Sequence, residues 1–411
     1  MIRRLSLFFV LLLGAVAGRA AESPLILISL DGFRWDYLDL HAESAPHLRR
    51  LRREGASLRG LVPVFPSNTF PNHYTLVTGL RPARHGIVNN IFFDPAHGIF
   101  FRYNTAASVS DPRWWGGEPI WVTAIKQGKK AASSFWVGSE AEIGGVRPSF
   151  WKRFDYSIPF EQRLDELMGW LALPPAERPA VVTFYFDETN AKGHRFGPDS
   201  PELVASVKLC DDQVAAMLAR IRGAGFAPNV VIVADHGMTA TSGDRAVIID
   251  PLLDLTSVLV EDEGSVLALR PLRGTAEELV RKFDGVAHVK AYLAQDLPAH
   301  FHFRGNARIA PVWVLPEPGW HVGTRAAHDR LRTRYAAQGY LLGDHGYDPA
   351  LPIMHGLFLA HGPAFKSGVT LPAEENIHVY NLLCAVLGLT PAPNDGDDRL
   401  VRGLLRAPTR P

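Results

Sequence analysis

Apolar positions along the chain fall into two alternating kinds of segment. Short continuous runs rich in β-branched residues, PLILISL at 24–30, AVVTFYF at 180–186 and NVVIVA at 229–234, predict buried strands. Residues 43–54 instead place Leu48 and Leu51 on one face of a helix with basic residues opposite, and residues 200–222 predict a long amphipathic helix. A helix is also expected at 376–388. This alternation predicts an α/β fold with a mostly parallel central sheet and helices on both faces. Residues 246–320 have another pattern. Short strands (RAVIID, SVLALRP, HVKAYLA, PVWVLPE) and one helix, TAEELVRKF, alternate with turn residues, which predicts a smaller inserted α+β lobe.

The first 21 residues are expected to be a signal peptide rather than part of the fold. Arg3 and Arg4 precede an apolar stretch from Leu5 to Val16, and Gly18-Arg19-Ala20 supplies small residues around a cleavage point. No later segment has 18 uncharged apolar residues, so residues 22–411 are expected to form one catalytic domain, periplasmic or secreted, without stable membrane insertion. The net charge of +1 implies no strong field for duplex nucleic acid or an anionic membrane. The two cysteines, Cys210 and Cys384, lie in apolar, helix-like segments. Two buried thiols or one disulfide both fit, and a zinc site built on these two alone does not, because Cys-x-x-Cys spacing is absent.

Residue types that bind divalent metal stand at the ends of several of these segments. They are Asp31 in ILISLDGFR, Thr69 in FPSNTFPNH, Asn190 and His194 in FDETNAKGHRFGP, Asp235-His236 in VIVADHGM, and His345 in GDHGY. The C-terminal ends of parallel strands are where such a sheet presents residues to a ligand. His194 and His345 each sit beside glycine, which reads as a polar loop. The mix of imidazole and carboxylate suits zinc better than magnesium. Two ions about 4 Å apart can clamp the attacking and leaving oxygens of an in-line displacement. Thr69 precedes a helix-like run with Pro71 near its start, so its hydroxyl lies where free backbone N–H groups favour phosphate. A metal-activated threonine is therefore the expected nucleophile, and the Gly-x-Ser-x-Gly elbow of serine hydrolases is absent.

These segments, in this order, resemble the nucleotide pyrophosphatase/phosphodiesterases of the alkaline phosphatase superfamily. The resemblance covers nearly all of residues 22–411 and is carried by DGFRWDYL, PVFPSNTFPNHYTLVTGLRPARHGIVNN, GHRFGP, ADHGM, GDHGYDP and LFLAHGPAFK. It implies an alkaline phosphatase-like fold and two Zn²⁺. One ion would be held by Asp31, Thr69, Asp235 and His236, and the other by Asn190, His194 and His345. It also implies Thr69 as nucleophile, Asn90 as donor to a phosphate oxygen, and Phe70 and Tyr185 as the rings that sandwich a nucleobase, with Tyr156 lining the same pocket. The expected activity is hydrolysis of nucleotide phosphodiester or pyrophosphate bonds to nucleoside 5′-monophosphates through a nucleotidyl-threonine intermediate.

One position departs from the family pattern, which has Asp where this chain has Asn190. An amide oxygen ligates zinc without bringing charge, so the second ion is expected to be the weaker one, with Asp187 or Glu188 as possible substitutes. The departure also supports a rival reading, a metal-impaired nucleotide-binding variant. Among enzymatic rivals, a phosphomonoesterase is expected to place a cation where neutral Asn90 stands. A sulfatase needs Cys or Ser at position 69. A phosphodiesterase acting on choline phospholipids is disfavoured by the two aromatic residues.

Overall fold

A computed structural model describes residues 23–407; the signal peptide expected at 1–21 lies outside them. Leu25–Leu30 is the innermost strand of an eight-stranded sheet and is buried along its whole length. It pairs in parallel with Pro179–Phe186 on one side and Asn229–Val233 on the other. Lys130–Ser134 and Phe150–Lys152 extend the parallel set beyond Pro179–Phe186. On the far side Phe358–His361 enters antiparallel, followed by Ala56–Leu58 and Val369–Leu371. The sheet is thus mostly parallel, with one reversed strand.

Strand period explains why both faces are covered. Leu25 and Leu27 point into one apolar cluster, and Ile26, Ile28 and Leu30 into a second. The first cluster is closed by the helices Thr69–Thr78, Ile120–Lys126 and Val379–Leu387. The second is closed by Pro46–Glu54, Phe160–Ala172 and the long helix Pro201–Gly223. Cys384 belongs to the first cluster and Cys210 to the second, so the sheet separates them. Both are free, buried thiols, and burial pushes each pKa up, that of Cys384 to about 12.

A four-stranded antiparallel sheet forms from Val258–Asp262, Leu267–Pro271, Val312–Pro316 and Val289–Leu293, in that spatial order. It has its own small core, in which Leu267, Leu269, Val312 and Val314 meet Phe283 and Ile249. Its helix Ala276–Arg281 starts at a capping box, with the Thr275 hydroxyl accepting from Glu278 N–H and the Glu278 carboxylate accepting from Thr275 N–H.

Candidate metal centre and active site

Two strand ends and one helix start converge on the Thr69 hydroxyl. Asp31 follows the innermost strand directly, and Asp235-His236 follow its neighbour Asn229–Val233. Thr69 is the first residue of its helix, where the leading N–H groups have no helical partner. His236 Nε2 lies 3.3 Å from Thr69 Oγ1, 3.1 Å from Asp235 Oδ2 and 3.4 Å from Asp31 Oδ1. Both carboxylates and the imidazole are almost fully buried. Burial, then repulsion from Asp235, pushes the Asp31 carboxyl well up. Burial acts the same way on Asp235, but His236 and His73 outweigh it and hold that carboxyl well down.

A second group lies beside the first. The His236 and His345 rings stack with centroids 3.5 Å apart. His345 Nε2 is 3.2 Å from His194 Nε2. Each imidazole uses Nδ1 on a carbonyl: His194 donates to Gly343 O at 2.8 Å, His345 to Ser67 O at 3.0 Å and His236 to Gly237 O at 2.8 Å. A carbonyl only accepts, so Nδ1 carries a proton in each ring and the Nε2 atoms face inward. Burial lowers the pKa of His194 and His345, which keeps both neutral. Asp31 Oδ1, Asp235 Oδ2 and Asn190 Oδ1 are buried oxygens with no hydrogen-bond donor among the described residues. Converging lone pairs and carboxylate oxygens without donors fit divalent cations, and this donor set fits zinc.

His194 does not lie in a polar loop, as its neighbouring glycine suggested, and its helix also carries Asn190. Both belong to the helix Glu188–Phe196, one turn apart on one face. Gly193 sits inside this helix because a Cβ there would come within 2.9 Å of Met238. Gly32 (φ +67°) lets the same helix approach Asp31, since its own Cβ would lie 3.1 Å from Asn190 Cα. His345 does lie outside regular structure, just after the short strand Gly343–Asp344.

The two groups open on a cavity of about 880 Å³. Thr69, Asn90, Asn190 and His194 line its floor, and Phe70, Tyr156 and Phe154 its walls. Asn90 Oδ1 accepts from Phe70 N–H at 2.9 Å, which leaves its NH₂ as the group presented to the cavity. The Phe70 ring packs near Phe101, Tyr103 and Trp115. Tyr185 also lines the cavity, yet it is 8 % exposed, and its hydroxyl donates to Asp31 Oδ2 at 2.5 Å. Its ring meets His73 and Phe154 edge-on. Tyr156, by contrast, is 75 % exposed.

A family profile described as type I phosphodiesterase / nucleotide pyrophosphatase matches residues 25–348. The chain belongs to that family. It is 36% identical over 399 residues to the venom phosphodiesterase of Macrovipera lebetinus, covering 94% of this chain and 46% of that protein. It is 34% identical over 397 residues to human ectonucleotide pyrophosphatase/phosphodiesterase family member 1, covering 94% of this chain and 42% of that protein. The chain thus spans about half the length of these curated relatives. Among solved structures, murine ectonucleotide pyrophosphatase/phosphodiesterase 5 superposes with a TM-score of 0.87 at 31% identity, over 93% of this chain and all of that one. An inactive threonine-to-alanine form of the same murine protein, in complex with AMP, superposes at 0.85 with 31% identity, over 94% of this chain and all of that one. No helix among the described residues is long and apolar enough to cross a membrane.

This phosphodiesterase-family site has supports that the motif reading passed over. His73, one turn after Thr69, directs Nδ1 to Thr69 O at 2.9 Å and lies 3.2 Å from Asp235 Oδ2, while Ser29 Oγ meets its Nε2 at 2.7 Å. Asp344 accepts from His345 N–H at 2.9 Å and pairs with His321 Nε2 at 2.9 Å, behind the two inward-facing imidazoles. The i, i+4 spacing from Thr69 and the adjacency to His345 were the available signals. Tyr185 belongs with these supports, and that sets a test. Tyr185→Phe keeps the ring and removes only the donor to Asp31. Metal affinity, read by chelator competition, is expected to fall about tenfold, at the low end for loss of an outer-shell partner. Activity is expected to fall equally for a nucleotide diester and for methyl nitrophenyl phosphate. Unchanged metal affinity with a loss confined to the nucleotide substrate would return Tyr185 to a purely stacking role.

Proposed function

We propose that this chain hydrolyses nucleotide phosphodiester or pyrophosphate bonds and releases nucleoside 5′-monophosphates. The observation that carries the reading is the Thr69 hydroxyl, at a helix N-terminus, ringed by Asp31, Asp235 and His236 with the His194/His345 pair beside it. Asp31, Thr69, Asp235 and His236 would hold one zinc, and Asn190, His194 and His345 the other. Bound zinc supplies a lowered hydroxyl pKa at Thr69 and charge neutralisation at the phosphate oxygens. Thr69 Oγ1, its proton lost, attacks phosphorus in line and breaks the opposite P–O bond, so that the alcohol or phosphate beyond it leaves and a nucleotidyl-Thr69 ester remains; water then cleaves that ester in a second in-line step, which releases the nucleoside 5′-monophosphate and restores the Thr69 hydroxyl. The NH₂ of Asn90 and the N–H of Thr69 meet the non-bridging oxygen as charge develops there. Phe70 and the exposed Tyr156 offer the base its faces, with Tyr185 below them. The AMP bound in the murine relative, and the inactivity of its threonine variant, support this assignment. An exported location, periplasmic or extracellular, belongs to the same reading and rests on the leader sequence.

Turnover of the nitrophenyl ester of thymidine 5′-monophosphate with added zinc tests the proposal. Nitrophenolate and thymidine monophosphate are the expected products, formed faster than nitrophenolate from the nitrophenyl monoester. Tight nucleotide binding without turnover at any zinc concentration would instead favour the metal-impaired binding variant that Asn190 suggests. On the same substrate Tyr156→Ala is expected to cost about tenfold in kcat/KM, since base stacking on an aromatic side chain is worth about 1–3 kcal/mol. Methyl nitrophenyl phosphate, which has no base, is expected to be hydrolysed by that variant at the unaltered rate.

A further inference from the structure

The inserted lobe reaches the reacting position through three asparagines whose amide orientations are fixed by their partners. Asn89 Oδ1 lies 2.8 Å from Asn90 N–H, a group that only donates, so that atom must be the oxygen. The same oxygen accepts from Asn68 Nδ2 at 2.7 Å, and Asn68 directly precedes Thr69. Asn89 therefore turns its NH₂ the other way, where it donates to Asp262 Oδ2 at 2.8 Å. Asp262 Oδ1 in turn accepts from Glu263 N–H at 3.0 Å. Asn89 is 1 % exposed and Asn68 7 %. Asp262 ends the lobe strand Val258–Asp262, whose register slips between Val260 and Asp262, and such bulges re-aim side chains. The neighbouring Glu261 clasps the same segment by accepting from Phe93 N–H at 3.2 Å.

We propose that Asn89, braced by Asp262 of the lobe, is a positioning residue that fixes both Asn90 and the backbone leading to Thr69. The proposal rests on the reading of Asn90 and Thr69 given above. A misplacement of about 1 Å in a reacting geometry costs on the order of a hundredfold in rate. The lobe strand thus sets the place of the phosphate-oxygen donor without touching substrate, which gives the insertion a part in turnover.

The experiment compares Asn89→Ala, Asn90→Ala and the pair Asn89→Asp with and without Asp262→Asn, on the nitrophenyl ester of thymidine 5′-monophosphate. Asn89→Ala is expected to lower kcat about tenfold to a hundredfold while KM and zinc content stay within about threefold of the parent. Asn89→Asp keeps the acceptor for Asn90 and Asn68 but sets two carboxylates face to face, so it is expected to lose both activity and thermal stability. Adding Asp262→Asn restores a donor to the pair and is expected to recover most of kcat. Parental kcat in Asn89→Ala alongside an impaired Asn90→Ala would overturn the positioning role and leave the proposed function standing. A fully active Asn90→Ala would overturn both. Loss of zinc or a large rise in KM in Asn89→Ala, or no recovery in the double exchange, would also sink the proposal.

Discussion

Thr69→Ala is expected to abolish at least three orders of magnitude of diesterase turnover while the protein keeps its fold and its metal. The argument is one of elimination among hydroxyls. Ser67 donates to Tyr347 O at 2.8 Å, and Thr189 donates to Asp31 O at 2.5 Å. Tyr185 donates to Asp31, and burial holds its phenol well above its ordinary pKa, so it stays protonated. Thr69 Oγ1 alone has His236 Nε2 as its partner and lines the cavity. Its removal costs the fold little, because the Thr69 side chain is only partly buried and caps no helix. Thermal melting within a few degrees of the parent, with the nitrophenyl nucleotide ester barely turned over, is the expected pair of results. Retention of more than about a tenth of the parental rate would instead indicate direct attack by water, since loss of a covalent nucleophile normally costs orders of magnitude.

The strands that carry the site were legible because a strand buried on both faces leaves a continuous apolar run, and LILISL ending at Asp31 and NVVIV shortly before Asp235 are such runs. Helix Pro201–Gly223 was legible from its amphipathic period, and its Ser200 cap accepts from Leu203 N–H. The helix carrying Asn190 and His194 was not. Its sequence is polar and holds a glycine, and what seats it is made across long sequence separations, where Gly193 leaves room for Met238 and Gly32 admits Asn190. The role of Tyr185 was hidden for a related reason. An aromatic residue near the end of a strand reads equally as a stacking face or as a buried anchor, and the 2.5 Å bond to Asp31, which the sequence does not show, adds the second role. The edge strand Val258–Asp262 also escaped notice, because its apolar run breaks at Glu261 and Asp262, the residues that reach into the main domain.

Asn190→Asp is expected to raise bound zinc from between one and two ions per chain to two, and to tighten the weaker ion about tenfold to a hundredfold. The second group has two imidazoles that burial keeps neutral and an amide oxygen with no donor among the described residues. A divalent ion there gains dipoles but no direct opposite charge, whereas the Asp31, Asp235 and His236 group offers two carboxylates. Two unit charges 4 Å apart attract by about 4 kcal/mol at an effective dielectric of 20. A new carboxylate must also be desolvated on burial, which offsets part of that attraction and limits the gain to the stated range. Asp344 lies 3.7 Å from His194 Nδ1 but is held by His321 and by His345 N–H, whereas Asp187, at the start of the same helix, lines the cavity and is an alternative source of charge. Burial, then Glu188, pushes its carboxyl up to about 6, so at neutral pH it is largely ionised without a cation. Chelator titration of the parent, Asn190→Asp and Asp187→Asn separates the possibilities. If Asn190 weakens its site, only Asn190→Asp shifts the second transition, and it shifts it towards tighter binding. If Asp187 already supplies the missing charge, Asp187→Asn loses the second ion and Asn190→Asp gains little. Two tightly held zinc ions in the parent, insensitive to both changes, would mean that an amide with two imidazoles suffices.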